Sequence, residues 1–135
     1  MFQNIMDNIL FYLIIFIVLD LIILFFIFFK KKKLSNSQKQ RFLQIYQDIQ
    51  SHPLEKQILE YDKLLEKVLH ARGFKESLGN ILKSHPSLFT NLDSLWKAHK
   101  LRNNIAHELE YTITPSEGEK SVKAFQSNIH TFIDL

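Results

Sequence analysis

Residues 9 to 29 are apolar except for one charge, Asp20, and this run constrains the chain more than any other feature in it. As a helix rising about 1.5 Å per residue, its 21 residues reach roughly 31 Å, the depth of a bilayer's hydrocarbon core. A cleaved signal peptide would need a basic start, a shorter apolar core and small residues at the cleavage site. Here Asp7 precedes the run, Phe28 and Phe29 end it, and Lys30, Lys31, Lys32 and Lys33 follow. The expectation is a retained membrane anchor over residues 1–33 and a separate domain over residues 34–135. Lysines flanking a span stay on the cytoplasmic side, which predicts an N-terminus outside and residues 34–135 in the cytoplasm. The four lysines either serve only to stop translocation or also attract anionic headgroups, at about 1 kcal/mol each. Asp20 falls near the middle of the span, where a charge costs about 2.5–3.5 kcal/mol on insertion scales. Either its apolar neighbours absorb that cost or a second anchor partners it.

About 100 residues remain to fold, enough for one small domain with a modest core. The chain contains no cysteine, which excludes disulfides and thiolate metal sites. Removing Lys30–Lys33 from the 17 basic residues, and Asp7 and Asp20 from the 14 acidic ones, leaves 13 against 12. A domain at +1 has no broad basic stripe by count, so any nucleic-acid contact must be local.

Beyond a short polar link at Leu34–Ser37, hydrophobic periodicity predicts helices throughout. Phe42, Ile45, Tyr46 and Ile49 mark one that His52-Pro53 ends. Leu54, Ile58, Tyr61, Leu65 and Val68 mark a second, running to about Arg72 with Gly73 at its C-cap. Leu78, Ile81 and Leu82 suggest a short third, stopped before His85-Pro86. The fourth begins near Thr90 or Asn91, with Thr90 and Asp93 spaced as a capping box, and ends around Leu109. Leu92, Leu95, Trp96, His99, Asn103 and Ala106 fall on one of its faces. The last starts with Thr114 as N-cap, Pro115 in the first turn and Glu117 closing a capping box, and its apolar face is Val122, Phe125, Ile129, Phe132 and Ile133. No segment alternates over strand length. The predicted fold is all-α: one transmembrane helix followed by a bundle of four to five helices.

The fourth helix carries the residues with the most chemistry. Arg102 offers a planar, permanently charged fork to phosphate oxygens, and His107 can move a proton near neutral pH. Cleaving RNA without a metal needs a base for the 2′-hydroxyl, an acid for the leaving oxygen and a cation for the phosphoryl charge. Five residues apart, Arg102 and His107 lie about 140° round the helix from one another and about 7.5 Å along it. Asn103 and His107, four apart, share a face, so Asn103 is the natural partner for the imidazole. Arg102 must reach round or act across a two-fold dimer interface. The competing reading pairs Arg102 with Glu108 or Glu110 on the surface and leaves His107 as a cation at a helix C-terminus. His99 and His107, about 12 Å apart along the helix, cannot chelate one metal together. His99 reads as packing beside Trp96 or meeting a polar partner, Trp96 as core rather than a base-stacking platform, and Asp62 with Glu66, which share a face and could supply acids to the cleft, as solvated surface. Gly73, Gly79 and Gly118 are isolated, so there is no glycine-rich phosphate loop and no cofactor motif.

Leu-Arg-Asn-Asn-Ile-Ala-His-Glu, residues 101–108, resembles the R-N-x-x-A-H form of the HEPN superfamily signature. Glu60-Tyr61-Asp62-Lys63-Leu64-Leu65 and Leu95 through Thr114 also look like short membrane-anchored bacterial proteins of the HEPN-like kind. The resemblance covers about residues 54–135. It implies a small helical domain, many relatives of which dimerise and act as metal-independent endoribonucleases in toxin–antitoxin and other defence systems. It further implies Arg102 and His107 as a catalytic pair, Asn103 as the polar residue after the arginine, and RNA, a second copy and an antitoxin or other protein as partners. Other relatives are non-catalytic, and the second expectation is an interaction module that recruits a protein or nucleotide to the membrane.

Overall fold

The computed structural model describes residues 1–29 and 32–133; Lys30 and Lys31 of the lysine run lie outside the described residues. The chain divides into two compact units, Met1–Lys31 and Lys32–Leu135. Every regular element among the described residues is helical.

The first unit is helix α1, Phe2–Phe29. Within it, Ile5–Phe26 is long and apolar enough to cross a membrane. Its large side chains are exposed all round, without the polar face that a helix on a soluble core shows.

The second unit begins with α2, Asn36–Ile49. The supposed polar link contains its start signal: Ser35 Oγ accepts from Gln38 N–H, and the Gln38 side chain accepts from Ser35 N–H. That capping box, Ser-x-x-Gln, satisfies two donors the helix would otherwise leave open. Helix α3, Leu54–Ala71, is the central element. Ile58, Tyr61, Leu65 and Val68 are buried as the spacing predicted. It ends in a Schellman motif, with Gly73 N–H donating to His70 O and Phe74 N–H to Leu69 O. Gly73 sits at φ +103°, which a side chain would strain.

Helix α4 is Leu78–Ser84, followed by a 3-10 turn at Pro86–Leu88. Helix α5, Leu92–His107, and α6, Pro115–Ile133, complete the bundle. α3 packs most extensively on α6, and α5 packs on both. Tyr61 lies at the meeting of α2, α3 and α6; its hydroxyl donates to Tyr46 O and accepts from Gln126 Nε2, and burial pushes its pKa up.

The two ends of α5 and α6 are fixed differently. Thr114 and Glu117 form the expected box: Glu117 N–H donates to Thr114 Oγ1, while Thr114 N–H and Oγ1 donate to Glu117 Oε2. At α5 no box forms. Asn91, the residue at its N-cap, is left-handed at φ 49° and makes no side-chain cap, and Thr90 turns to Asn128 instead. Asn128, wholly buried on α6, accepts from Thr90 N–H and Oγ1 and donates to Thr90 O and Ala124 O. A long-range amide therefore satisfies the loop that local capping leaves open.

Asn128→Ala removes one side chain and leaves part-buried backbone groups of Thr90 without their partner, so it lowers stability by about 2 kcal/mol, against about 1 for an ordinary hydrogen bond. Urea unfolding of the full chain in detergent, followed by the fluorescence of Trp96, checks this. The hydrogen bonds from the Thr114 side chain and backbone hold the Glu117 carboxyl below its ordinary 4.5. A depressed carboxylate adds stability that is complete above the unfolded pKa and lost as pH falls through the folded one. The destabilisation by Thr114→Ala is accordingly larger at pH 7 than at pH 3, measured as the shift in unfolding midpoint.

Candidate functional site

A charged residue interrupts the apolar stripe of α3. Ile58, Asp62, Leu65 and Leu69 recur four, three and four residues apart, and Asp62 is only 4% exposed. This corrects the expectation that Asp62 lies on solvated surface. A buried carboxylate must be paired or neutralised, and α5 supplies the partners. His99 Nδ1 lies 2.7 Å from Asp62 Oδ1, and Arg102 Nε lies 3.3 Å from Oδ2. Three apart on α5, His99 and Arg102 present their side chains to the same spot on α3.

Each contact has a distinct character. An ionised carboxylate only accepts, so the His99 proton facing it sits on Nδ1. Nε2 then lies over Gly79 on α4, where a Cβ would stand 3.1 Å from it. The ring of Trp96 meets the His99 ring edge-on at 5.9 Å. Both expected roles of His99 are thus present together. Arg102 Nε is within ion-pair distance of Asp62, yet its N–H is not aimed for a hydrogen bond and is buried without one. That contact is Coulombic. The guanidinium is held instead through Nη1, which donates to Asn103 Oδ1 at 2.9 Å. Nη2 makes no hydrogen bond among the described residues.

Of the sequence-predicted residues, Arg102 and Asn103 are brought together and His107 stands apart. Asn103 gives its carboxamide oxygen to Arg102, not to His107. His107 is the last residue of α5, exposed, and its side chain forms no hydrogen bond or ion pair among the described residues. Arg102 pairs with Asp62, forty positions earlier in the chain, and not with Glu108 or Glu110. Glu66, also expected on the surface, is half-buried and accepts from Leu78 N–H at 2.8 Å, fixing the start of α4. On α5 the expected inner face drifts: Leu95, Ala98 and Leu101 are buried, while Ala106 is exposed. Compared with family models, curated proteins and solved structures, the chain matches none.

Removing Asp62 would strand a half-buried guanidinium and a mostly buried imidazole. Asp62→Ala therefore costs about 3 kcal/mol, the lower end of what breaking a buried pair costs. Arg102→Ala costs less, and the double variant recovers part of the loss. A double-mutant cycle on urea unfolding measures that coupling.

Proposed function

We propose that the chain is a single-pass membrane protein, N-terminus outside, whose cytoplasmic bundle is a HEPN-like domain that cleaves RNA as a homodimer without a metal. The observation that carries this reading is the setting of Arg102. Asp62 and Asn103 hold the guanidinium on its Nε and Nη1 sides, and Nη2 is left for a phosphate oxygen. Such a half-anchored fork is oriented before the substrate arrives, which is where electrostatic catalysis gains most.

In the reaction, His107 takes the proton of the ribose 2′-hydroxyl as that oxygen attacks the adjacent phosphorus. The bond from phosphorus to the 5′-oxygen breaks, and the leaving oxygen receives a proton from an imidazolium. The products are a 2′,3′-cyclic phosphate and a 5′-hydroxyl. Arg102 stabilises the phosphoryl oxygens, and Asn103 steadies Arg102. The role earlier given to Asn103, orienting His107, passes to no other residue. Because Arg102 and His107 lie about 140° apart round α5, a phosphate gripped by one protomer's arginine meets the other protomer's histidine. The lysines after α1 keep the bundle on the cytoplasmic side, and tethering raises the local concentration of copies for dimerisation.

A specific observation favours a second reading. Asp62 already compensates the charge of Arg102, which weakens the field that the guanidinium puts on a phosphate. On this reading the Asp62 network only sets the packing of α3 and α5, and the domain recruits a protein or nucleotide partner to the membrane.

Expression of the full chain with a radiolabelled RNA assay on isolated membranes separates the two. The nuclease reading expects cleavage that falls at least 100-fold in His107→Ala and in Arg102→Ala, within the 10²–10⁴ range of a lost proton-transfer or charge-stabilising group. Both variants keep the wild-type melting curve to within the cost given above. Intact RNA with folded wild-type protein supports the recruiting module.

A further inference from the structure

The count of 13 basic against 12 acidic residues conceals an uneven distribution. Along the outer face of α5, three hollows share their linings, two against α6 and one against α4. Lys97 lines all three, Lys100 and Lys120 each line two, Lys123 lies in an α5–α6 hollow of about 450 Å³, and Lys83 lies in the one of about 600 Å³ beside Trp96. All five lysines are exposed, and none forms an ion pair among the described residues. The acids in these linings are Asp93 and Glu117. Glu117 is already committed to Thr114 through the capping box. Five cations therefore surround a concave, hydroxyl-rich surface on which Glu117 feels the charge of Lys120 without forming an ion pair with it.

This surface also reaches the candidate histidine. Trp96, Lys100, Asn103 and His107 stand four, three and four residues apart, so they form one stripe along α5. From Trp96 to His107 the stripe is roughly 16 Å long. Trp96 is half-buried by its contact with His99, and it lines the same hollow as Lys83, Lys97 and Lys100. Cations that track a backbone, combined with an aromatic face that takes a base, suit a single-stranded nucleic acid, whose bases are free to stack. Anionic headgroups could take the lysines as well, but they leave the aromatic face of Trp96 in the same hollow without a partner, whereas a base fills it.

We propose that the α5–α6 side binds single-stranded RNA, with phosphates on Lys97, Lys100 and Lys120, a base on Trp96, and the strand leading to His107. This rests on the nuclease reading for the identity of the polymer as substrate. The site it assigns is distinct from the Asp62 network.

The test uses the full chain in phosphatidylcholine nanodiscs and a fluorescein-labelled single-stranded RNA of about 20 nucleotides, followed by anisotropy. His107→Ala is the parent, so that RNA is not consumed. Lys97→Gln with Lys120→Gln weakens binding about tenfold or more in low salt and lowers the slope of log affinity against log salt by about 1.4, at about 0.7 per phosphate contact on a single strand. Trp96→Ala weakens binding several-fold with the slope unchanged. A duplex of the same sequence binds less tightly than the single strand. Parental affinity in the lysine variant overturns the inference, as does equal affinity for the duplex. It is overturned too if the lysine variant loses only adhesion to vesicles containing phosphatidylserine. Failure here is distinguishable from failure of the nuclease. Wild type that binds in this way without cleaving leaves the inference standing and ends the nuclease reading; cleavage undiminished in the lysine variant does the reverse.

Discussion

Burying the carboxylate of Asp62 sets the terms for the rest of the domain. A charge 4% exposed in the apolar stripe of α3 is tolerable only where cations meet it with good geometry, because the desolvation of an unpaired carboxylate far exceeds any one packing contact. His99 and Arg102 meet it from α5. That requirement rotates α5 about its own axis until these two residues face α3. Everything else on α5 follows from the rotation. Leu95, Ala98 and Leu101 go into the core, while Lys97, Lys100 and His107 are turned outward. One buried acid thus decides which chemistry the helix shows to solvent.

Other long-range polar contacts hold the frame in which this happens. Asn128 anchors the loop before α5 from α6. Arg72, at the C-cap of α3, donates through Nη1 to Phe132 O at the end of α6, lies over the Phe132 ring, and accepts at its own backbone oxygen from Lys32 N–H. The start of the second unit, the end of α3 and the end of α6 are therefore tied at one residue. Glycine at position 79 matters for a related reason: the side chain of a larger residue would press on His99 Nε2 and disturb the pair with Asp62.

What was legible in the sequence was whatever depends on neighbours within one or two turns. The apolar run of α1, the inner faces of α3 and α6, the Thr114–Glu117 box and the Gly73 cap all arise from local periodicity or local hydrogen bonds. The Ser35–Gln38 box is equally local, but the polar residues around it have the composition of a link. The misreadings share another cause. Asp62 with Arg102, Thr90 with Asn128 and Glu66 with Leu78 are pairs from different elements of the chain, and no spacing rule reaches across them. The signal for Asp62 was nevertheless present: an acid at a position where the 4-3-4 spacing of Ile58, Leu65 and Leu69 calls for an apolar residue. A charge out of place in such a stripe is a request for a partner, and Arg and His are the side chains able to answer it.

The same geometry bears on how an arginine and a histidine five residues apart could cooperate. Were they to act on one phosphate from a single helix, one of them would have to abandon its face. Arg102 is the less free of the two, since leaving α3 would unpair Asp62 and break its bond to Asn103. His107 has no partner to give up among the described residues, but it lies on the lysine-lined stripe that faces away. A cost of about 3 kcal/mol for unpairing the carboxylate corresponds to more than a hundredfold in population, too much for a site that must form on each turnover. On the proposed nuclease reading the economical solution is a second copy, whose histidine reaches the first copy's arginine while each Asp62 pair stays intact. On that same reading, an anchor in the bilayer would favour such an encounter by confining the copies to two dimensions.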